Sequence, residues 1–205
     1  MIFSIEQMHQ VLHEFHLILA EQDPSQNLDL RPEAASKCQA VMVLSSPYVF
    51  EKGVRREETP EDRARVRQAI LILKTLAAYG NPRPMLILNG EPLQLHAMKK
   101  FALELCKSIG FTPAKMVELN CGDTGQGNTM TQFQAFSQSP YGAIKNAIVI
   151  TSGWQVPRVR RTAKKWSPGT VFQTLGVPFR SFGYDYWRII EEITKIPTYS
   201  QQDNL

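Results

Sequence analysis

Apolar residues follow two rhythms along this chain. Short runs without a polar interruption, "VMVL" (Val41 to Leu44), "MLIL" (Met85 to Leu88) and "AIVI" (Ala147 to Ile150), have the length of a strand. A strand with no polar face is buried on both sides, as in a parallel sheet covered by helices. Between the runs the rhythm changes to helical spacing. Leu95, Met98, Ala102, Leu105 and Ile109 recur at three- and four-residue steps, and Gly110 follows them. "TPEDRARVRQAILILKTLAAYG" has a complete set of helix punctuation. Thr59 caps it, Pro60 suits the first position, Glu61 and Asp62 suit the positive end of the dipole, and Gly80 stops it.

The resulting order is a helical segment, then strands and helices in alternation. Strands are predicted over residues 39–46, 84–90, 114–119 and 146–151, and helices over 59–80, 91–110, from Asn128, 156–166 and 185–196. Residues 47–59 and 120–127 are read as loops. This alternation predicts a three-layer, Rossmann-like α/β domain with a mostly parallel sheet and helices on both faces. The expected organisation is an N-terminal helical segment, residues 1–38, packed on one α/β domain, residues 39–205.

In such a sheet, ligands bind outside the carboxyl ends of the strands. The residues just past each apolar run are therefore the candidates: Ser45 and Ser46, Asn89 and Gly90, the loop leading to Asn128 and Thr129, and Thr151 and Ser152. The glycine after Ser152 is expected to let a ligand approach the backbone. Arg63 and Arg67 lie four apart in the first turns of a helix that starts at this edge, and Arg158 starts another. Guanidinium forks match carboxylate or phosphate, so the expected ligand is a small anion, with Arg158 its main contact. A solvated helix face explains Arg63 and Arg67 equally well. So does an ion pair for Arg158, with a carboxylate such as Glu118.

Composition narrows the alternatives. With 205 residues, 43% hydrophobic and 20% charged, the chain can bury a sizeable core. The net charge of +4 comes without an arginine–aromatic repeat, so nucleic acid is not the expected partner. Arg160, Arg161, Lys164 and Lys165 read as a solvated surface. No run approaches the length of a membrane span, and the first 23 residues lack the basic start of a signal peptide, so a cytoplasmic location is expected. Cys38, Cys106 and Cys121 match no metal knuckle and read as reduced thiols. His9, His13 and His16 flank the stripe of Met8, Leu12, Phe15 and Leu19, so no metal is expected there. "GDTGQGN" lacks the lysine of a phosphate loop, and no Gly-x-Ser-x-Gly elbow is present. Trp154 is placed either to stack on a base or to pack.

Two stretches, "NTMTQ" (Asn128 to Gln132) and "VITSGWQVPRV" (Val149 to Val159), together with "AVMVLSS" and "LILNG", resemble the YdcF/SanA/ElyC-like family of bacterial domains. The likeness spans roughly residues 39–184. It implies a Rossmann-like fold and a nucleotide-like small ligand, S-adenosylmethionine or a phosphorylated metabolite among the candidates, or a role in envelope metabolism. It brings Gln132 and Gln155 into the site beside Asn128, Thr129, Thr151, Ser152 and Arg158. The chain departs from the pattern at Gln155, where the family carries His, and at Asn89-Gly90-Glu91, where it carries Ser-Gly-Gly. Glu118 also lies further from the Asn-Thr motif. A glutamine hydrogen-bonds but does not titrate, which favours binding without turnover. The alternative function is an adaptor that acts through a partner-binding surface.

Overall fold

The computed structural model describes residues 9, 13, 32–46, 50–51, 54–55, 59–122, 128–178 and 192. Five parallel strands form one sheet: β1 (Ala40–Leu44), β4 (Met85–Gly90), β5 (Met116–Asn120), β6 (Asn146–Ser152) and β7 (Val171–Val177). A two-strand antiparallel pair, β2 (Phe50–Glu51) and β3 (Val54–Arg55), stands apart in the stretch read as loop. The helices are α1 (Pro32–Lys37), α2 (Pro60–Ala78), α3 (Pro92–Ile109), α4 (Thr129–Gln138) and α5 (Val156–Trp166).

Strand order is β5-β4-β1-β6-β7. The chain starts in the middle, steps outward through α2 and α3, returns past β1, and steps outward the other way through α5. This is the doubly wound order of a Rossmann-like fold, and its direction reverses between β1 and β6. Alternate side chains of each strand face opposite layers. Val41, Val43, Leu86, Leu88, Ile148 and Ile150 pack with Val66, Ile70 and Leu73 of α2 and Leu95, Met98 and Ala102 of α3. Ala40, Met42, Leu44, Ile87 and Val149 pack with Phe133 and Phe136 of α4 and Val159 of α5. The expected three layers are therefore present. Phe172 sets its ring edge-to-face against Phe133 and Phe136, with centroids 5.3 and 5.5 Å apart. Such pairs add about 0.5–1.5 kcal/mol each beyond area burial.

Helix boundaries follow the punctuation. Thr59 Oγ1 accepts the Asp62 N–H at the start of α2. Gly110, at φ 61°, ends α3 in the left-handed conformation. Strand β7 was not anticipated. Gln173 and Thr174 break its apolar run, and Val171 is 67% exposed because β7 lies at the edge of the sheet. His9 and His13 are helical and exposed, while the rest of the predicted N-terminal helix, His16 included, lies outside the described residues. So does the predicted last helix except Glu192, which is helical. No helix among the described residues is long and apolar enough to cross a membrane.

Candidate functional site

Because β1, β4 and β6 run parallel, their carboxyl ends share one edge. Ser45, Asn89 and Thr151 meet there through polar side chains that are almost all buried. Gln132, one turn into α4, reaches down onto the strand ends. Its Nε2 donates to Ser45 Oγ at 3.0 Å and to the Asn89 carbonyl at 3.1 Å, and Asn89 Nδ2 donates back to the Gln132 carbonyl at 2.8 Å. Gly90 makes this closeness possible. A Cβ at that position would lie 2.7 Å from both Cβ and Oγ of Ser45. Asn89 Oδ1 is buried with no hydrogen-bond partner among the described residues.

Ser46 is held at three points. Its N–H donates to Asp62 Oδ1 at 2.6 Å, its hydroxyl to Asp62 Oδ2 at 3.0 Å, and its carbonyl accepts from Gln94 Nε2 at 2.6 Å. Thr59 Oγ1 also donates to Asp62 Oδ2, at 2.8 Å. Complete burial pushes the Asp62 carboxyl above its ordinary pKa, and the neighbouring Arg65 charge and these donors oppose the shift.

Arg65 is the residue that the sequence reading missed. It is fully buried and lies at the point where strand order reverses. Its Nη1 donates to the Leu44 carbonyl at 2.7 Å, at the end of β1. Its Nη2 donates to Ser152 Oγ at 2.7 Å and to Gln155 Oε1 at 2.9 Å, past the end of β6. Gln155 Oε1 also accepts from Thr151 Oγ1 at 2.7 Å. The guanidinium thus bridges the ends of two strands. Glu61 lies 3.6 Å from Nη2.

Arg63 and Arg67, the arginines expected in the crevice, are exposed on the opposite face of α2, and Arg63 lies over the Phe101 ring of α3 at 5.1 Å. The signal was available. Asp62, Val66, Ala69, Ile70, Leu73 and Leu76 form the buried stripe of α2, and Arg65 falls on it. Residues 63 and 67 fall on the other side.

Arg158 is half-buried beside α4. Its Nη1 donates to Thr129 Oγ1 at 3.0 Å, and its Nε contacts the Glu192 carboxylate directly. Arg158 thus holds a carboxylate of the chain itself, the kind of pairing weighed as its alternative role. That carboxylate is not Glu118, which pairs with Lys99 at the surface. The start of α5 also differs from expectation. A 3-10 turn, Gly153–Gln155, leads into it, the Val156 N–H is taken by the Gly153 carbonyl, and Pro157 has none. Gly176 of β7 passes close to this turn, and a Cβ on it would lie 2.6 Å from the Gly153 Cα. Trp154 is buried.

Helix α4 also starts at this edge. Asn128 Oδ1 accepts the Thr131 N–H, and Thr131 Oγ1 accepts that of Asn128. Thr129 and Met130, the first two helical residues, keep N–H groups with no acceptor among the described residues. Thr129 itself is 4% exposed, under the Arg158 guanidinium. Residues 123–127 of the glycine-rich loop lie outside the described residues.

Of the thiols, only Cys121 lies at this edge, just past β5, where its side chain hydrogen-bonds that of Thr131. Cys38 and Cys106 are buried and Cys121 half-buried, and burial pushes Cys38 and Cys121 up to about 11, so they stay protonated. One cavity of about 240 Å³ at the amino edge is lined by Cys38, Asn146 and Val171 among others. Another of about 380 Å³ starts at the carboxyl end of β5 and runs along α4, lined by Asn120, Cys121, Thr131 and Gln138 among others.

Fold and edge together define a Rossmann-like α/β protein with a buried polar cluster at its switch point. No protein-family model, curated protein or solved structure matches the chain.

Proposed function

We propose that the protein binds a small anionic or nucleotide-like molecule at the carboxyl edge of its sheet, with the anionic group at the start of α4. One observation carries this reading. Polar side chains from distant parts of the chain, Ser45, Asn89, Thr129, Gln132, Ser152 and Gln155, are buried together at this edge. Burying polar groups is unfavourable unless each is bonded. Their concentration at the strand-order reversal, where this fold class binds ligands, supports a site rather than a packing solution. The resemblance to YdcF-like bacterial proteins supports the same reading, with S-adenosylmethionine and phosphorylated metabolites as candidates and the cytoplasm as location. No titratable group stands where that family carries its His, so binding without turnover is the simpler form.

The test is calorimetric titration of S-adenosylmethionine, adenine nucleotides and sugar phosphates into the wild type and Thr129→Pro. Proline is favoured at the first helical position, so the helix is retained, while the hydroxyl and one open N–H are lost. Binding of the ligand that the wild type takes should weaken by about 1.5–3 kcal/mol, the range for hydrogen bonds to charged groups. Equal binding by the two proteins contradicts the placement.

A further inference from the structure

We propose that the amino edge of the sheet, opposite the candidate ligand site, is a docking surface for an anionic membrane. The proposal does not depend on the reading of the carboxyl edge. In a parallel sheet every strand is entered from the same side, and here each entry brings a cation. Lys37 precedes β1, Arg83 β4, Lys115 β5 and Lys145 β6, while Lys164 and Lys165 end α5 ahead of β7. All six are exposed. The entering segments, residues 37–39, 79–84, 110–115, 139–145 and 164–170, contain no Asp or Glu. Of the nearest acids in sequence, Glu118 is matched by Lys99, which leaves Glu33 of α1 against six cations. Backbone hydrogen bonds of 2.8–3.1 Å tie the entries together: Leu86 N–H donates to the Lys115 carbonyl, Met85 to Gln39, Gln39 to Asn146 and Val171 to Lys145. The cations therefore share one rim, about 20 Å across at the usual strand spacing.

Neither ion pairing nor helix dipoles explain this rim. Lys37, Arg83, Lys115, Lys145 and Lys164 have no carboxylate partner among the described residues. Helices end at this edge and favour cations, but only within the last turn. The last turns of α2 and α4 carry no basic residue, and Arg83 and Lys145 lie more than a full turn beyond those helices. Aromatic rings mark the same segments. Tyr79 is 54% exposed, and Phe111, Tyr141 and Trp166 are half-buried. Lys115 and Lys165 lie over the Tyr141 and Trp166 rings, at 5.3 and 5.9 Å. Tyrosine and tryptophan beside lysine suit a membrane interface, where rings sit at headgroup level and ammonium groups meet phosphate. Five of the six cations are lysine, a point charge, rather than the arginine that reads nucleic acid through bidentate bonds. An anionic lipid surface fits that composition. Docked this way, the protein turns its carboxyl edge away from the membrane.

The experiment is sedimentation with vesicles of phosphatidylglycerol and phosphatidylcholine in equal parts, at about 0.1 M salt, where charges act over about 10 Å. Vesicles of phosphatidylcholine alone are the comparison. The wild type should bind the anionic vesicles and not the neutral ones. A cation at an anionic surface is worth about fivefold in affinity, so Lys115→Gln combined with Lys145→Gln should weaken binding about 25-fold. Arg67→Gln combined with Lys100→Gln removes two exposed charges from α2 and α3 and should weaken it by less than about threefold. Melting curves establish that both double variants are folded. No binding to the anionic vesicles, equal binding to the neutral ones, or equal losses in the two double variants overturn the proposal. Oligothymidylate that binds the protein where the vesicles do not also overturns it, and makes the edge a nucleic-acid surface.

Discussion

Replacing Arg65 by methionine gives the sharpest view of what holds the edge together. The side chain is fully buried, and methionine keeps its unbranched apolar stem while lacking the guanidinium. What it removes is polar. The Leu44 carbonyl loses its guanidinium partner, Ser152 Oγ loses donations at 2.7 and 3.3 Å, and Gln155 keeps only Thr151. Each buried group left unsatisfied costs about 1–3 kcal/mol. The buried Asp62 also loses its neighbouring positive charge. Breaking a buried charge pair on one side costs about 3–5 kcal/mol. These terms overlap, because the same guanidinium serves all of them, so the net loss is placed at about 3–5 kcal/mol. Urea unfolding followed by far-UV circular dichroism reads this directly. Added to Asp62→Asn, the same substitution should cost about 1–3 kcal/mol less, since the coupled charge is already gone. A loss under about 1 kcal/mol, within the range of surface changes, would refute the bridging role given to Arg65.

Other expectations are more local. Gly90→Ala places a methyl group against Ser45 and should destabilise by about 1–3 kcal/mol as an overpacking change, while Gly169→Ala, which meets only open space, should stay within about 0.5 kcal/mol. Denaturation midpoints of the two variants settle this. Asp62 gives a pH signature of definite sign. Its folded pKa lies above the ordinary value of 3.8, so its contribution favours the fold most below that value and declines as pH rises through the folded pKa. The stability of the wild type relative to Asp62→Asn should therefore fall as pH is raised from about 3.8, and a rising difference contradicts the account.

The central strands were legible because burial on both faces leaves no polar residue to blur them. Val41 to Leu44, Leu86 to Leu88 and Ala147 to Ile150 all lie inside observed strands. The edge strand β7 was not, since an edge needs no continuous apolar run, and Gln173 and Thr174 conceal it. The hydroxyls and amides past the strand ends, Ser45, Asn89, Thr151 and Ser152, were legible by the topological rule, while Gln132 and Gln155, which hydrogen-bond Ser45, Asn89 and Thr151, came from the resemblance. The charges were not. Arg63 and Arg67 were favoured for being near the helix start, although the phase of Val66, Ile70 and Leu73 buries Arg65 instead. Pairing of Arg158 with Glu192 has no local signature, because the two lie 34 positions apart in the sequence.

The account's central claim is that an anion sits at the carboxyl edge, on the open N–H groups of α4. Amide NMR spectra of the labelled protein, recorded during titration with methyl phenyl phosphate, test it most directly. The account predicts the largest shifts at Thr129 and Met130, with smaller ones at Ser45 and Ser152. Largest shifts at the opposite edge, around the cavity lined by Ala35, Cys38 and Asn146, would contradict it.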